Sequence, residues 1–280
     1  MSGTLFVVAT PIGNLEDITI RALRVLREVD VVAAEDTRRT AKLFAHYGIA
    51  TPTLSFHRHN TRSRLPQLVR RLEQGERVAI VTDAGTPGIS DPGIELVDAC
   101  LARQIVVDPV PGPSAPLAAA VASGFQLEPL TIYGFVPTRS KERKAWMESV
   151  RSVTHTFTFF EAPHRVQRTL EELGSTLGDR HISIGREVTK LHQEFLRGHV
   201  ADIIGRLTEY RGEFTIVVGP ATTEQASISV SDLDIAREFW HSTYIGVGGR
   251  RRAVVDLAKK YGRSAKEIYG IIERLKNSGI

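Results

Sequence analysis

The stretch RVAIVTDAGTPGISDPGIELVDACLARQIVVDPV, residues 77–110, decides the fold. Two runs rich in β-branched residues, RVAIVTD (77–83) and IVVDPV (105–110), flank a segment with helical spacing, DPGIELVDACLARQ (91–104). Strand, helix, strand in that order predicts a parallel pair with the helix crossing one face of the sheet. Pro92 suits the first helical position, where a missing N–H costs nothing. Between the first strand and the helix lies VTDAGTPGISDPG (81–93). It holds three glycines, two prolines and two aspartates, and no lysine or arginine.

The same alternation extends outward. TLFVVA (4–9), VDVVAAE (29–35), TIYGFV (131–136), HTFTFFEA (155–162), HISIGRE (181–187) and FTIVVGP (214–220) read as strands. ITIRALRVLREV (18–29), TRRTAKLFAHYG (37–48), TRSRLPQLVRRLEQG (61–75), PSAPLAAAVASG (113–124), RSKERKAWMESV (139–150), HRVQRTLEELG (164–174) and HVADIIGRLTEY (199–210) read as helices. The expected organisation is α/β, with a parallel-sheet domain over 1–128 and a second, more mixed α/β domain over 129–222. A small-polar stretch follows and reads as a linker over 223–230, leading to a helical domain over 231–280. There Ser231 is a good cap, and RRAVVDLAKKYG puts Ala253, Val254, Leu257, Ala258 and Tyr261 on one face. Ser264 and Glu267 form a capping box, and Ile268, Ile271, Ile272 and Leu275 point inward behind it. With only Gly262 and Arg263 between the last two helices, the pattern is helix-turn-helix-like.

With 42% hydrophobic and 24% charged residues, the chain has the composition of a soluble globular protein. Neither a signal peptide nor a membrane span is expected, and the expected location is the cytoplasm. The single Cys100 cannot form an internal disulfide and reads as a small buried apolar residue. Net charge is +4, and residues 231–280 alone carry ten Lys/Arg against six Asp/Glu. The basic balance therefore sits at one end; the helical pattern alone suits docking as well as nucleic acid, and the cluster Arg250, Arg251 and Arg252 with Lys259, Lys260, Arg263 and Lys266 favours a polyanion.

Several chemistries lack their signatures: no P-loop, no G-x-G-x-x-G after the first strand, no G-x-S-x-G and no zinc-type Cys/His spacing. His57 and His59 in SFHRHN have no further ligand cluster, so no metal is expected. What recurs is loops at strand ends: ATPIGNLEDIT (9–19), AAEDTRRT (33–40), VTDAGTPGISDPG (81–93) and VPGPSA (110–115). In an open parallel sheet such loops share one edge, where ligands bind. Asp83 and Asp91 would repel a polyphosphate, while Gly85 and Gly88 permit close backbone approach. A phosphate-free, cationic nucleoside such as S-adenosylmethionine is compatible with that loop.

ATPIGNLEDIT, EDTRRTAKLFAHYGI, SFHRHN, VTDAGTPGISDPG, VPGPSA, FEAPHR, GREVTKLHQEF and GEFTIVVGP, in order from about residue 5 to 220, resemble the ribosomal RNA small-subunit methyltransferase I family of the tetrapyrrole-methylase superfamily. The resemblance implies two α/β domains of class III methyltransferase type with a basic helical C-terminal domain. It also implies a homodimer, and S-adenosylmethionine bound in the cleft between domains. The implied substrate is 16S rRNA, within the 30S subunit, 2′-O-methylated on a cytidine of the decoding centre. Carried over by motif, the cofactor residues are Pro11, Asp83, Ala84, Gly85, Ser90, Asp91, Ser114, Ala115, Phe135, Ala162, Pro163, Gly212, Glu213, Phe214 and Thr215. Glu35, Asp36, Thr37, Arg38 and His59, in motifs peculiar to this branch, are assigned to RNA or catalysis. Arg186, Glu187 and Lys190 are further candidates, with a domain-closing ion pair as the other reading of Arg186 and Glu187.

A ribose hydroxyl is a poor nucleophile near neutral pH. Alignment with the methyl donor and removal of its proton are the tasks such an enzyme meets. Glu35, Asp36 and Lys190 are the candidate proton acceptors. Arg58, Arg62 and Arg64, with Arg250, Arg251 and Arg252 of the C-terminal helices, are candidate phosphate contacts. Two other readings are a tetrapyrrole methyltransferase and a non-catalytic ribosome-assembly binder. The EDTR and HRHN motifs argue against the first, and the intact cofactor loops against the second.

Overall fold

The structure, a computed structural model, describes residues 2–89, 91, 93–178, 180–221, 232–244, 249–261 and 263–277. The chain divides into two compact units. One comprises residues 1–122 with 184–195 and 212–215; the other comprises 123–183 with 196–211 and 216–280.

The first sheet contains β1 (Thr4–Val8), β2 (Val31–Ala34), β3 (Thr53–Ser55), β4 (Arg77–Val81) and β5 (Val106–Val110), in the order β3-β2-β4-β1-β5. Every pairing is parallel, as the strand-helix alternation predicts. All four residues of β2 are buried, so both faces are covered. The period-2 alternation sorts its side chains. Val32 and Ala34 face Ala22, Val25 and Leu26 of α1 (Ile20–Glu28), with Leu43 and Phe44 of α2 (Thr37–Tyr47). Val31 and Ala33 face Leu68 and Leu72 of α3 (Thr61–Glu73), with Leu96 and Cys100 of α4 (Ile94–Leu101). Cys100 is wholly buried there, and burial pushes its thiol up to about 11. Truncating a leucine such as Leu72 in this layer would cost about 2–5 kcal/mol.

The second sheet contains β6 (Leu130–Phe135), β7 (Thr156–Glu161), β8 (His181–Arg186), β9 (Glu194–His199) and β10 (Phe214–Val218), in the order β6-β7-β10-β8-β9. β6 and β7 are parallel, with a register shift between Ile132 and Phe135. Further α-helices among the described residues before the C-terminal segment are α5 (Ala115–Ser123), α6 (Ser140–Arg151), α7 (Val166–Leu177) and α8 (Val200–Arg206).

Three C-terminal helices, α9 (Asp232–Tyr244), α10 (Arg250–Tyr261) and α11 (Ala265–Asn277), share one apolar core. Ile235 and Phe239 meet Ala253, Val254, Leu257, Ile268, Ile271 and Ile272, with Tyr261 and Leu275 at the margin. These are the faces expected from the spacing. The capping box forms too: the Ser264 N–H donates to Glu267 Oε2 at 2.7 Å and the Glu267 N–H to Ser264 Oγ at 3.3 Å. The 223–230 linker, Ser231, Pro92 and Gly262 lie outside the described residues.

Three expectations need correction. The helix expected over 91–104 is shorter, because Gly93, at φ +143°, precedes its first turn. β3 and β9 have no counterpart in the sequence reading. One is three residues long, and the other, EFLRGH, carries a glycine and two charges where apolar alternation would be needed.

Candidate active site

The loops after β1, β2, β4 and β5 leave one edge of the first sheet, because the strands are parallel. β2 and β4 are neighbours with Ala34 opposite Val81, which sets Glu35 and Asp36 abreast of Thr82 and Asp83. The Asp36 N–H donates to Asp83 Oδ1 at 3.0 Å, and the Asp83 N–H donates to Glu35 Oε2 at 3.3 Å. Arg39 Nε lies 3.4 Å from Asp83 Oδ2. On the other side of β4, Thr10 and Gly85 exchange backbone hydrogen bonds of 2.9 and 3.0 Å. Gly85 holds φ +80°, a conformation that side-chain-bearing residues rarely adopt. The Thr10 hydroxyl donates to Thr82 O at 3.0 Å. Pro11 and Ala84, beside these bonds, are partly buried.

Asp91 is half-buried, and its carboxyl is pushed up to about 7. Burial is the main cause; the negative charges of Glu35 and Asp83 add to it, and Arg58 opposes them. Residues 35, 58, 83 and 91 are thus within electrostatic reach of one another. Glu35 and Asp83 are joined by the 3.3 Å hydrogen bond above, and Asp91 lies within reach of both negative charges, which hold its proton toward neutrality.

Asp36 is occupied differently. It caps α2: Oδ1 accepts from the Arg38 N–H at 2.9 Å and from Arg38 Nε at 3.1 Å, and Oδ2 accepts from Arg38 Nη2 at 2.8 Å. These bonds pull its carboxyl down to about 2. A carboxylate so well satisfied is a poor proton acceptor at neutral pH. Thr37 is the first residue of the helix.

The HRHN loop is built by Asn60, which the sequence reading passed over. Asn60 Oδ1 accepts from the His57 N–H at 2.8 Å, and Nδ2 donates to Ser55 O at 3.1 Å. The His59 N–H donates to His57 Nδ1 at 3.2 Å. Arg58, His59 and Arg62 are exposed, and Arg64 donates to Gln67. Among the described residues, no group of three His, Cys, Asp or Glu is placed to hold a metal ion.

Ser114 accepts the Ala118 N–H through its carbonyl at 2.9 Å, and Ala115 opens α5. Ser90 lies outside the described residues.

The GREVTK segment is a tight loop within the first unit. Glu187 and Thr189 hold φ of +50° and +69°. Lys190 Nζ donates to Glu187 Oε1 at 2.8 Å and to Glu213 Oε2 at 3.1 Å. Burial pulls the Lys190 ammonium down, but these two carboxylates outweigh it and leave the group above the usual lysine range. Lys190 is therefore a donor rather than a base. Arg186, with a side chain only 15% exposed, donates from Nε to Glu194 Oε2 at 2.9 Å. This pair joins the end of β8 to the start of β9. Gly212 and Glu213 complete the loop through a Glu213 N–H to Glu187 Oε1 bond of 2.8 Å. Phe214 and Thr215 point their side chains into the core, at 2% and 4% exposure, so any ligand contact from them is through the backbone.

In the second unit, Phe135 ends β6 with its side chain exposed and its ring centroid 5.3 Å from that of Phe160. Ala162 and Pro163 follow β7, and the Ala162 N–H donates to Glu161 Oε1 at 2.7 Å. In the helical segment, Arg251 and Arg252 are exposed, and the Arg250 guanidinium lies 5.5 Å from the centre of the Trp240 ring.

The family model described as Tetrapyrrole (Corrin/Porphyrin) Methylases matches residues 4–204. A protein of Halalkalibacterium halodurans named ribosomal RNA small subunit methyltransferase I is 41% identical over 274 residues, covering 96% of this chain and 94% of its own. One of Synechocystis sp. with the same name is 40% identical over 280 residues, covering 99% of this chain and 100% of its own. Among solved structures, uroporphyrin-III-C-methyltransferase from Thermus thermophilus shares the fold. Its TM-score is 0.56 at 19% identity, over 78% of this chain and 94% of that one.

Proposed function

The chain belongs to the ribosomal RNA small subunit methyltransferase I family within the tetrapyrrole methylases, and it is an rRNA methyltransferase. From that premise we propose that it uses S-adenosylmethionine to methylate the 2′-hydroxyl of a cytidine in 16S rRNA. The observation that carries the cofactor reading is the pairing of Glu35 with Asp83 at the edge of the first sheet, with Asp91 within electrostatic reach, beside a glycine-bearing loop with no lysine or arginine. Such a donor set suits a ligand that is cationic and free of phosphate, and it disfavours a nucleotide. When bound, S-adenosylmethionine supplies an electrophilic methyl group.

This chain's own residues have the remaining tasks. The Thr10–Gly85 backbone pair and the Asp36–Asp83 bond hold the edge loops in place, which preserves alignment. For the hydroxyl proton, Asp36 is held ionised by Arg38 and Lys190 is held protonated by its two carboxylates. Glu35 is left as the proton acceptor among the three candidates. Exposed Arg58, on the loop after β3, and Arg62, in the first turn of α3, supply positive charge for RNA phosphates, with His59 exposed beside them.

The test is incubation with methyl-labelled S-adenosylmethionine and either 30S subunits or free 16S rRNA, followed by mapping of alkali-resistant linkages. Label at one cytidine ribose is expected. Label on a base, or none on either RNA, would overturn the reading.

A further inference from the structure

Glu161 and Arg165 stand in the FEAPHR segment, yet neither belongs to the residues assigned above to cofactor or RNA. Glu161 ends β7 with its side chain fully buried. Its Oε1 accepts from the Ala162 N–H at 2.7 Å and lies 2.6 Å from Arg165 Nη2. Its Oε2 accepts from the Thr169 hydroxyl at 2.6 Å and lies 3.6 Å from Arg143 Nη1. Arg143 is itself buried and donates to Thr169 Oγ1 at 2.8 Å and to Glu172 Oε2 at 2.7 Å.

Arg165 reaches further. Its Nη1 donates to Val136 O, just past β6, at 3.1 Å. The Val136 N–H in turn donates to Phe160 O at 3.3 Å. One guanidinium therefore joins the ends of two adjacent parallel strands, and one buried carboxylate anchors that guanidinium. Phe135 is the last residue of β6, and Ala162 and Pro163 follow β7 directly.

Stability alone does not account for this arrangement. A buried ion pair roughly breaks even against well-packed apolar side chains, because desolvation offsets its Coulomb gain. Arg165 Nε is also buried with no hydrogen-bond partner, a further cost. What the pair supplies is geometry: two oxygens, Glu161 Oε1 and Val136 O, and two guanidinium nitrogens of Arg165 define the strand ends at fixed distances.

We propose that Glu161 and Arg165 are positioning residues for the cofactor, stapling the ends of β6 and β7 so that Phe135, Ala162 and Pro163 are held ready for it. This rests on the cofactor reading above and adds to it two residues that touch the ligand only through others.

Three variants test the staple. Glu161→Gln removes the anchoring charge and leaves the buried Arg143 and the partly buried Arg165 without that counter-charge, which endangers folding. Glu161→Gln combined with Arg165→Gln removes both charges, so the fold is expected to survive with a thermal midpoint near that of the unsubstituted protein. Three readings are taken on the full chain: calorimetric affinity for S-adenosylmethionine, KM and kcat on 30S subunits, and hydrogen exchange at the Ala162 and Val136 amides without cofactor. In the double variant, affinity is expected to fall about tenfold or more, with kcat at saturating cofactor nearly unchanged. Exchange at both amides is expected to quicken. Arg165→Lys, which keeps the charge next to Glu161, should recover part of the affinity.

A folded double variant with normal cofactor affinity and normal exchange would sink the staple alone. If no double variant folds, Arg165→Lys decides: full affinity in that variant also sinks it. Failure of the unsubstituted protein to bind S-adenosylmethionine would remove the cofactor reading, and this proposal with it.

Discussion

The backbone N–H of Asp36 donates to the carboxylate of Asp83 at 3.0 Å, joining two residues 47 positions apart in sequence. Their motifs meet because β2 and β4 are adjacent in the sheet. Asp83 thus shapes the edge through both oxygens, with Arg39 on the second.

Replacing Asp83 with alanine leaves a partly buried N–H without its acceptor. A loss of about 1–3 kcal/mol in urea unfolding is expected. Asp83→Asn keeps an acceptor for Asp36 and should recover much of it. Equal stability of the alanine variant and the parent would mean the bond contributes nothing.

Asp91 predicts a pH dependence. Its carboxyl is raised in the folded chain to about 7 from an ordinary 3.8. The folded state therefore holds this proton more tightly than the unfolded state does. Stability from this group is complete below the unfolded value and is lost as pH rises toward 7. The full shift corresponds to at most ~4 kcal/mol, and partial exposure lowers that to about 1–2 kcal/mol. Asp91→Asn should thus unfold at higher temperature than the parent at pH 8, with the difference vanishing near pH 4. A difference independent of pH would contradict it.

The same ionisation bears on ligand affinity. A cationic cofactor favours the charged form of Asp91, so binding should weaken as pH falls below about 7 in the parent. In Asp91→Asn that slope should flatten. Calorimetry in two buffers of different ionisation enthalpy would detect the released proton.

Gly212 combines φ +88° with crowding, since a Cβ there would lie 2.5 Å from Glu187 Cγ. Gly212→Ala should destabilise by about 2 kcal/mol or more, through strain and displacement of Glu187. It should also free Lys190, visible as a lysine signal titrating closer to its ordinary range.

For the C-terminal helices, Arg250→Ala, Arg251→Ala and Arg252→Ala together should weaken RNA binding and flatten its salt dependence. Each lost phosphate contact reduces the slope by about 1. An unchanged slope would assign these arginines elsewhere, with Arg250 serving to cover Trp240.

Much of this was legible in the sequence. The strands of the first sheet announce themselves because burial on both faces demands unbroken apolar runs, as in Val31–Ala34. The last two helices announce themselves by spacing and by the Ser264–Glu267 box. Strand order was not legible: nothing in AAEDTRRT says that it adjoins VTDAGTPG rather than ATPIGN. For the same reason Glu35, Asp36 and Lys190 looked equivalent as bases. Their differences come from partners such as Arg38, Glu187 and Glu213, and Lys190 meets Glu213 only through the fold. Glu161 and Arg165 were in view within FEAPHR, but a charged pair next to a strand reads as surface until its burial is known.

Cys100 gives the chain a built-in clock. The only thiol in the sequence is sealed between α4 and the first sheet, and its raised pKa keeps it in the unreactive form. An alkylating reagent can reach it only when that layer opens. The rate of modification therefore reports opening of the first unit without any engineered label, and slowing of that rate by a bound ligand would measure how firmly the ligand closes it.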